Sequence, residues 1–299
     1  MKIIERYEDI RSERPTAVTL GKFDGLHRAH RMLIDTVAGQ HEAAGLTVTA
    51  VSFDINPIRI LTKEEKADIL SRSGVELYIR LPFTAQLMSM EAEDFIEEVL
   101  IRRLHASYIC VGDDFRFGHM RKGNAAMLAE AGEKYGFRVY ILPAVKIGDR
   151  EISSTWIREC MEAGDMETAA DLLGFHYFLS GSIVHGRAVG RTIGVPTINM
   201  IPDPEKLLPK YGVYFSRNTI GEHTWYGITN IGTKPTVNGQ FAGAETYLFG
   251  CSSDLYGETA KTELLRFMRP EIRFGSMEAL ADQLRKDMEN GRKYAENMA

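Results

Sequence analysis

Two imidazoles three residues apart, framed by glycines, carry the clearest chemistry in the first half of the chain. Residues Gly21-Lys22-Phe23-Asp24-Gly25-Leu26-His27-Arg28-Ala29-His30 follow an apolar run and precede a helical pattern. Glycines at such a turn let the backbone approach a ligand, and the helix start behind them offers unpaired amides to a phosphate. His27 and His30 share one face of that helix start, where they can donate hydrogen bonds to an α-phosphate as negative charge grows on it. Alone, a His-x-x-His pair reads as a solvated turn. Strand, glycine loop and helix together favour a nucleotide.

Two further segments of this half offer polar groups at the ends of apolar runs. Asp113-Asp114-Phe115-Arg116-Phe117-Gly118 brings paired carboxylates, an arginine and two aromatics after Val111-Gly112, a combination suited to a planar ligand with polar edges. A solvated charged turn is the equal alternative on these residues alone. Ser153, Ser154 and Thr155 line up three hydroxyls at a helix start, able to cap it or to bind phosphate, with Arg158 one turn in and long enough to reach a triphosphate.

The strongest pattern lies in the second half. From Gly186 to Asn199 glycines recur at 186, 190 and 194, with Arg187 and Arg191 beside them and Thr192, Pro196 and Thr197 following. Uncovered amides and guanidinium groups in that density suit a phosphate chain, although the GK[ST] of a Walker loop is absent. Thr197 and Asn199 are two apart, so in an extended segment both oxygens face one side, a donor pair that suits magnesium. Glu245 opens the apolar strand Glu245 to Phe249, where a carboxylate could deprotonate a hydroxyl attacking a γ-phosphate. Taken alone, a strand-edge Glu is more often solvated than catalytic.

These residues need two kinds of scaffold. In the first half, runs at Ala17 to Leu20, Thr47 to Phe53, Leu77 to Leu81, Ser107 to Val111 and Phe137 to Leu142 read as strands. Helical spacing between them, at Arg31 to Ala44, Phe95 to Leu104 and Ala125 to Tyr135, implies crossovers and a doubly wound, mostly parallel sheet that binds ligands at its carboxyl ends. Ser154 to Gly174 predicts a helix pair with a Gly164-Asp165 turn. After about residue 175, strands at Leu179 to His185, Val213 to Ser216, Trp225 to Ile231, Glu245 to Phe249 and Thr262 to Met268 follow one another without room for helices. That predicts an antiparallel barrel or sandwich, with Ser276 to Met298 as a helix packed on it. The domains expected are therefore 1–175 and 176–299.

Composition bounds the rest. At 299 residues, 44% hydrophobic and 26% charged, the chain has the profile of a soluble globular protein of two domains. A net charge of -5 disfavours a nucleic-acid partner while leaving room for local basic pockets. Cys110, Cys160 and Cys251 lie far apart and read as reduced thiols. With a charged N-terminus and no long apolar stretch, a cytoplasmic protein without membrane contact is expected. The sequence does not set an oligomeric state.

Taken together, the motifs resemble the bifunctional riboflavin kinase/FAD synthetase family of bacteria. Residues 21 to 30 match its GxFDGxHxGH segment except at Ala29, where the family has glycine. Residues 111 to 118 with Gly123 look like its VGxDFRFG loop, and Ile152 to Arg158 resemble ISSTxIR. The resemblance implies an HxGH nucleotidyltransferase-like domain followed by a kinase β-barrel with a terminal helix. ATP and Mg2+ would serve both steps, with riboflavin, FMN and FAD as substrates or products. In the first domain Gly21, Phe23, Asp24, Gly25, Asp114, Phe115, Arg116, Gly118, Ser153, Ser154 and Thr155 would bind nucleotide or flavin, while His27, His30 and Arg158 steady phosphates. In the second, Gly186, Gly190, Arg191, Thr192, Gly194, Pro196 and Asn230 would surround ATP, Thr197 and Asn199 would hold the metal, and Glu245 would be the base. Arg269 and Glu271, in the segment resembling RxExxF, would either enclose the flavin or anchor the last helix. Asn56 stands where the family often has the histidine of a PHP segment, Tyr247 replaces a frequent histidine, and Gly250 a frequent acid. Two alternatives stay open: a riboflavin kinase with a weakened or lost transferase site, and a non-catalytic flavin-binding regulator.

Overall fold

The computed structural model describes residues 1–54, 56–82, 84–185, 195–236 and 239–298. They form two compact units, Met1–Ser154 and Thr155–Ala299.

The first unit runs β1 (Lys2–Ile4), β2 (Thr16–Gly21), α1 (Arg28–Ala44), β3 (Thr47–Asp54), α2 (Lys63–Arg72), β4 (Leu77–Pro82), α3 (Ala85–Ser89), α4 (Ala92–Asp94, continuing as π-helical Phe95–Arg103), β5 (Ala106–Gly112), β6 (Arg116–Phe117), β7 (Gly123–Asn124), α5 (Ala125–Tyr135) and β8 (Arg138–Leu142). A small hairpin, β9 (Lys146–Ile147) with β10 (Arg150–Glu151), ends it. Six strands make one parallel sheet in the order β1-β4-β3-β2-β5-β8. Because helices cover both faces of such a sheet, its central strands are apolar throughout, and the first five residues of β2 are all buried. From β2 the chain winds through β3 to β4, then returns to β5 on the other side of β2. The carboxyl ends of β2 and β5 therefore flank the point where strand order reverses, the place where open sheets of this kind leave a crevice.

The second unit begins with the helix pair α6 (Ser154–Ala163) and α7 (Met166–Leu173), which meets at the Gly164-Asp165 turn, Asp165 capping α7 through Thr168 N. Strands β11 (Phe178–Val184), β12 (Ile198–Met200), β13 (Gly212–Ile220), β14 (His223–Thr236), β15 (Gly239–Leu248) and β16 (Thr259–Pro270) close into an antiparallel barrel, and α8 (Met277–Glu296) follows, capped by Ser276. Side chains alternate across each strand. Tyr214, Ser216 and Asn218 of β13, Thr229 and Ile231 of β14, and Ala244, Thr246 and Leu248 of β15 are all buried on the inner face.

The compact units divide some twenty residues before the change of texture near 175, because the helix pair packs with the barrel. Lys210 N bonds Met161 O at 2.8 Å, and Arg266 of β16 pairs with Glu167 of α7 at 3.2 Å. The short elements α3, β6, β7, β9, β10 and β12 went unread in the sequence, as did α2 and β1. Helix α2 carries only Lys66 and Leu70 as its buried face, too thin a stripe to show periodicity, and β1 is a three-residue edge strand among charges.

Gly227 lets β14 and β15 approach: a Cβ there would stand 2.3 Å from the Tyr247 carbonyl oxygen. Gly227→Ala is expected to lower the stability of the second unit by about 1–3 kcal/mol. Both tryptophans, Trp156 and Trp225, lie in that unit, so urea unfolding followed by tryptophan fluorescence measures it.

Candidate active sites

In the first unit the loop between β2 and α1 is held in an unusual shape. Phe23, Gly25 and Leu26 all have left-handed backbone, at φ 48°, 87° and 45°. For Phe and Leu that conformation is strained, and both side chains are fully buried, which is what holds it. His27 then caps α1: its Nδ1 accepts from the His30 amide at 3.4 Å. With Nδ1 so used, the neutral ring carries its proton on Nε2 and presents a donor.

The two imidazoles stack, centroids 3.6 Å apart and planes 17° apart, with Phe23 edge-on to His30 at 5.2 Å. Burial pushes His27 down to about 4 despite the Asp24 carboxylate nearby, and it pushes His30 well below the ordinary 6.5, helped by His27 and Lys66. Both rings are neutral donors at pH 7. Nδ1 of His30 is buried with no hydrogen-bond partner among the described residues.

Asp24 ties neighbouring segments to this loop. Its Oδ1 accepts from Ile60 N at 3.0 Å, its Oδ2 from Asn56 Nδ2 at 3.3 Å, and its carbonyl from Ser154 Oγ at 2.8 Å. Asn56 is thus a donor to a buried carboxylate, a task that needs no positive charge. Buried Lys66 adds a contact to Lys22 O at 3.4 Å. After β5, a turn closed by Phe115 N to Gly112 O sets out exposed Asp114 and Arg116, while Phe115 and Phe117 stack at 5.6 Å. Gly118, at φ 71°, lies against Ala92 so closely that a Cβ would come within 2.7 Å of its backbone.

In the second unit, one row of residues crosses the barrel's outer face. Arg269 pairs with Val213, Val213 with Asn230, Asn230 with Glu245, and Glu245 with Asn199. Five strands thereby deliver a guanidinium, a carboxylate and two amides along one line. Thr197 Oγ1 donates to Glu245 Oε1 at 2.8 Å. The row borders a cavity of about 190 Å³ whose other wall is largely apolar, with Ile272, Phe274, and Leu280, Leu284 and Met288 of α8 beside the carboxylates of Glu271 and Asp287. A polar row facing an apolar wall suits a ligand with an aromatic body and a hydroxylated tail. Arg269 is held against buried Asp287 of α8 by Nε to both carboxylate oxygens (3.0 and 3.1 Å) and Nη2 to Oδ2 (2.6 Å), and Gln283 supplies a further donor at 2.9 Å. Glu271 rests where Gly232 lacks a side chain, its Oε1 1.9 Å from where a Cβ would be.

Known proteins divide along the same lines. The FAD synthetase family model matches residues 9–156 and the riboflavin kinase model residues 173–295. The chain belongs to the bifunctional riboflavin kinase/FMN adenylyltransferase family. The relative of that name from Escherichia coli K12 is 33% identical over 98% of both chains, and the one from Haemophilus influenzae is 33% identical over 93% of this chain and 94% of the relative. A crystal structure of a macrolide-efflux protein from Streptococcus pneumoniae superimposes with TM-score 0.88 at 31% identity, covering 97% of this chain and 98% of that one. Among the described residues here no helix is long and apolar enough to cross a membrane.

Set against this family's two activities, the residues read from sequence divide by their place in the fold. Gly21, Phe23, Asp24, Gly25, His27, His30 and Ser154 meet at one loop; Thr197, Asn199, Asn230, Glu245, Arg269 and Glu271 meet at one barrel face. Asp114, Phe115, Arg116 and Gly118 sit at the neighbouring strand end of the first unit, with Ser153 beside Ser154. Thr155 and Arg158 belong to the second unit, on the first turn of α6, so the His27 loop is described without them. Gly186, Gly190, Arg191, Thr192 and Gly194 lie outside the described residues, and Pro196 is exposed. Sequence reading missed Asp287 and Lys66. Asp287 was visible as a charge inside an apolar stripe, among Leu280, Leu284 and Met288; Lys66, with only Leu70 beside it on the buried face of α2, carried no such signal. Cys110 is buried, its thiol pushed up to about 11, so it is an inert core residue.

Two expectations follow. A histidine whose folded pKa lies below its unfolded value favours the fold while neutral, so the contribution of His27 is present above about 6.5 and lost as pH falls toward about 4. In an NMR titration the His27 Cε1–H resonance is expected to hold still from pH 8 to 5; a midpoint near 6.5 contradicts the burial argument. Asp287→Ala strands the Arg269 guanidinium and is expected to cost about 3–5 kcal/mol in the same fluorescence-monitored unfolding.

Proposed function

We propose that the second unit transfers the γ-phosphoryl group of ATP to the 5′-hydroxyl of riboflavin, giving FMN and ADP, and that the first unit transfers AMP from a second ATP to FMN, giving FAD and pyrophosphate. The family supports both steps. The observation that carries the reading is the row on the barrel, where the Glu245 carboxylate, between two amides, faces a cavity with a largely apolar wall.

In phosphoryl transfer Glu245 takes the proton of the attacking hydroxyl, and the Thr197 hydroxyl orients its Oε1. The apolar wall from α8 receives the flavin rings and excludes water around the attacking oxygen. Thr197 and Asn199 offer neutral oxygens beside that carboxylate, a hard donor set that fits Mg2+. When bound, the ion supplies neutralisation of phosphate charge.

In adenylyl transfer the FMN phosphate attacks the α-phosphorus of ATP and pyrophosphate leaves, with no covalent enzyme intermediate. Charge grows on the α-phosphate oxygens, and neutral His27 and His30 donate hydrogen bonds to them from a loop whose shape is fixed by buried Phe23 and Leu26. Asp114 and Arg116, one strand away, are assigned to the polar edges of the second substrate.

Glu245→Gln is expected to lower FMN formation from riboflavin by about 10²–10⁴-fold while leaving FAD formation from supplied FMN unchanged, both read by chromatography of the flavin products. Equal FMN formation by the variant rejects Glu245 as base. Wild-type protein that makes no FMN rejects the kinase reading itself.

A further inference from the structure

Behind the catalytic row, inside the barrel, runs a chain of polar side chains that neither reaction uses. Asn218 Nδ2 donates to Ser216 Oγ at 3.0 Å, Ser216 Oγ meets Thr229 Oγ1 at 2.8 Å, and Thr229 Oγ1 meets Thr246 Oγ1 at 2.8 Å. Ser216, Asn218 and Thr229 are fully buried and Thr246 is 2% exposed. The chain ends at Asn218 Oδ1, which is buried with no hydrogen-bond partner among the described residues. A barrel interior filled by apolar groups of similar shape would need none of this, so the polar chain answers some requirement other than filling space.

Its position says which. Thr246 is the residue after Glu245 and points to the opposite face; Thr229 precedes Asn230 in the same way. The two threonines are direct partners across β14 and β15, as are Asn230 and Glu245. Apolar alternation forbids a slip of one residue, which would turn the strand inside out, but tolerates a slip of two. A two-residue slip would set Glu245 against Ile228 or Gly232 instead of Asn230, breaking the row. The same slip would set Thr246 against Gly227 or Ile231, neither of which has a hydroxyl, and take the Thr246 hydroxyl from its partner inside the barrel, while Thr229 kept only Ser216.

We propose that Thr246 and Thr229 are positioning residues for phosphoryl transfer, their shared hydrogen bond inside the barrel fixing the register that places Glu245 against Asn230 outside it. Ser216 and Asn218 extend the lock to β13, which carries Val213 in the same row. The inference rests on the kinase reading of that row.

Thr246→Val keeps shape and removes the hydroxyl; Thr246→Ser keeps the hydroxyl. With wild type making FMN, Thr246→Val is expected to lower kcat for FMN formation by about tenfold or more with KM for riboflavin changed less than about threefold. FAD formation from supplied FMN should be unaffected, and Thr246→Ser should restore kcat to within about twofold. Unchanged kcat in Thr246→Val overturns the proposal even if its melting temperature falls, as does a serine variant as impaired as the valine one. Should the valine variant lose the native fluorescence of the barrel, Ser216→Ala, one link away, decides: reduced kcat at unchanged KM supports the lock and wild-type kcat rejects it. Wild type that makes no FMN is a different failure, that of the kinase reading.

Discussion

A carboxylate taken out of water needs donors to replace the ones it lost, and in both units that requirement binds together the segments that make a site. Asp24 meets it with Asn56 and the Ile60 amide, which come from the stretch between β3 and α2. Asp287 meets it with Arg269 and Gln283, joining α8 to the end of β16. In each case the carboxylate is mostly a fastener. The segments could be close in other ways, but a buried charge makes their separation expensive, and so the loop above β2 and the wall above the barrel keep their places.

The two sites then treat charge differently. Around His27 and His30 burial keeps the rings neutral, and in the proposed transfer they offer a phosphate direction, through rings set by a helix cap and a stacked neighbour. Along the barrel row the carboxylate of Glu245 is half-buried beside a hydroxyl and between amides, the place the proposed function gives to a base. The proposed reactions thus pair one site built on oriented neutral donors with another built on an oriented base.

Much of this was legible in the sequence because it was carried by period and punctuation. The central strands of the sheet are continuous apolar runs, the strands of the barrel follow one another with only turns between, and the glycine loop announces the helix start by its own composition. Other features had no such signal. Whether the helix pair at 154–173 belonged with the sheet or the barrel depended on contacts such as Glu167 with Arg266, which no spacing announces. That Asn56 would serve Asp24, and that five strands would bring Arg269, Val213, Asn230, Glu245 and Asn199 into one row, depended on loop geometry and strand register. Residue types named most of the members; only pairing arranged them.

The left-handed backbone at Phe23 and Leu26 has a consequence for nucleotide affinity. A flexible glycine-rich loop must lose its freedom when a ligand arrives, and that entropy subtracts from binding. Here two large side chains sunk in the core have already frozen the loop during folding, at the expense of global stability. The strain is therefore a transfer between ledgers: the fold is somewhat weaker, and the ligand meets a surface with little left to order.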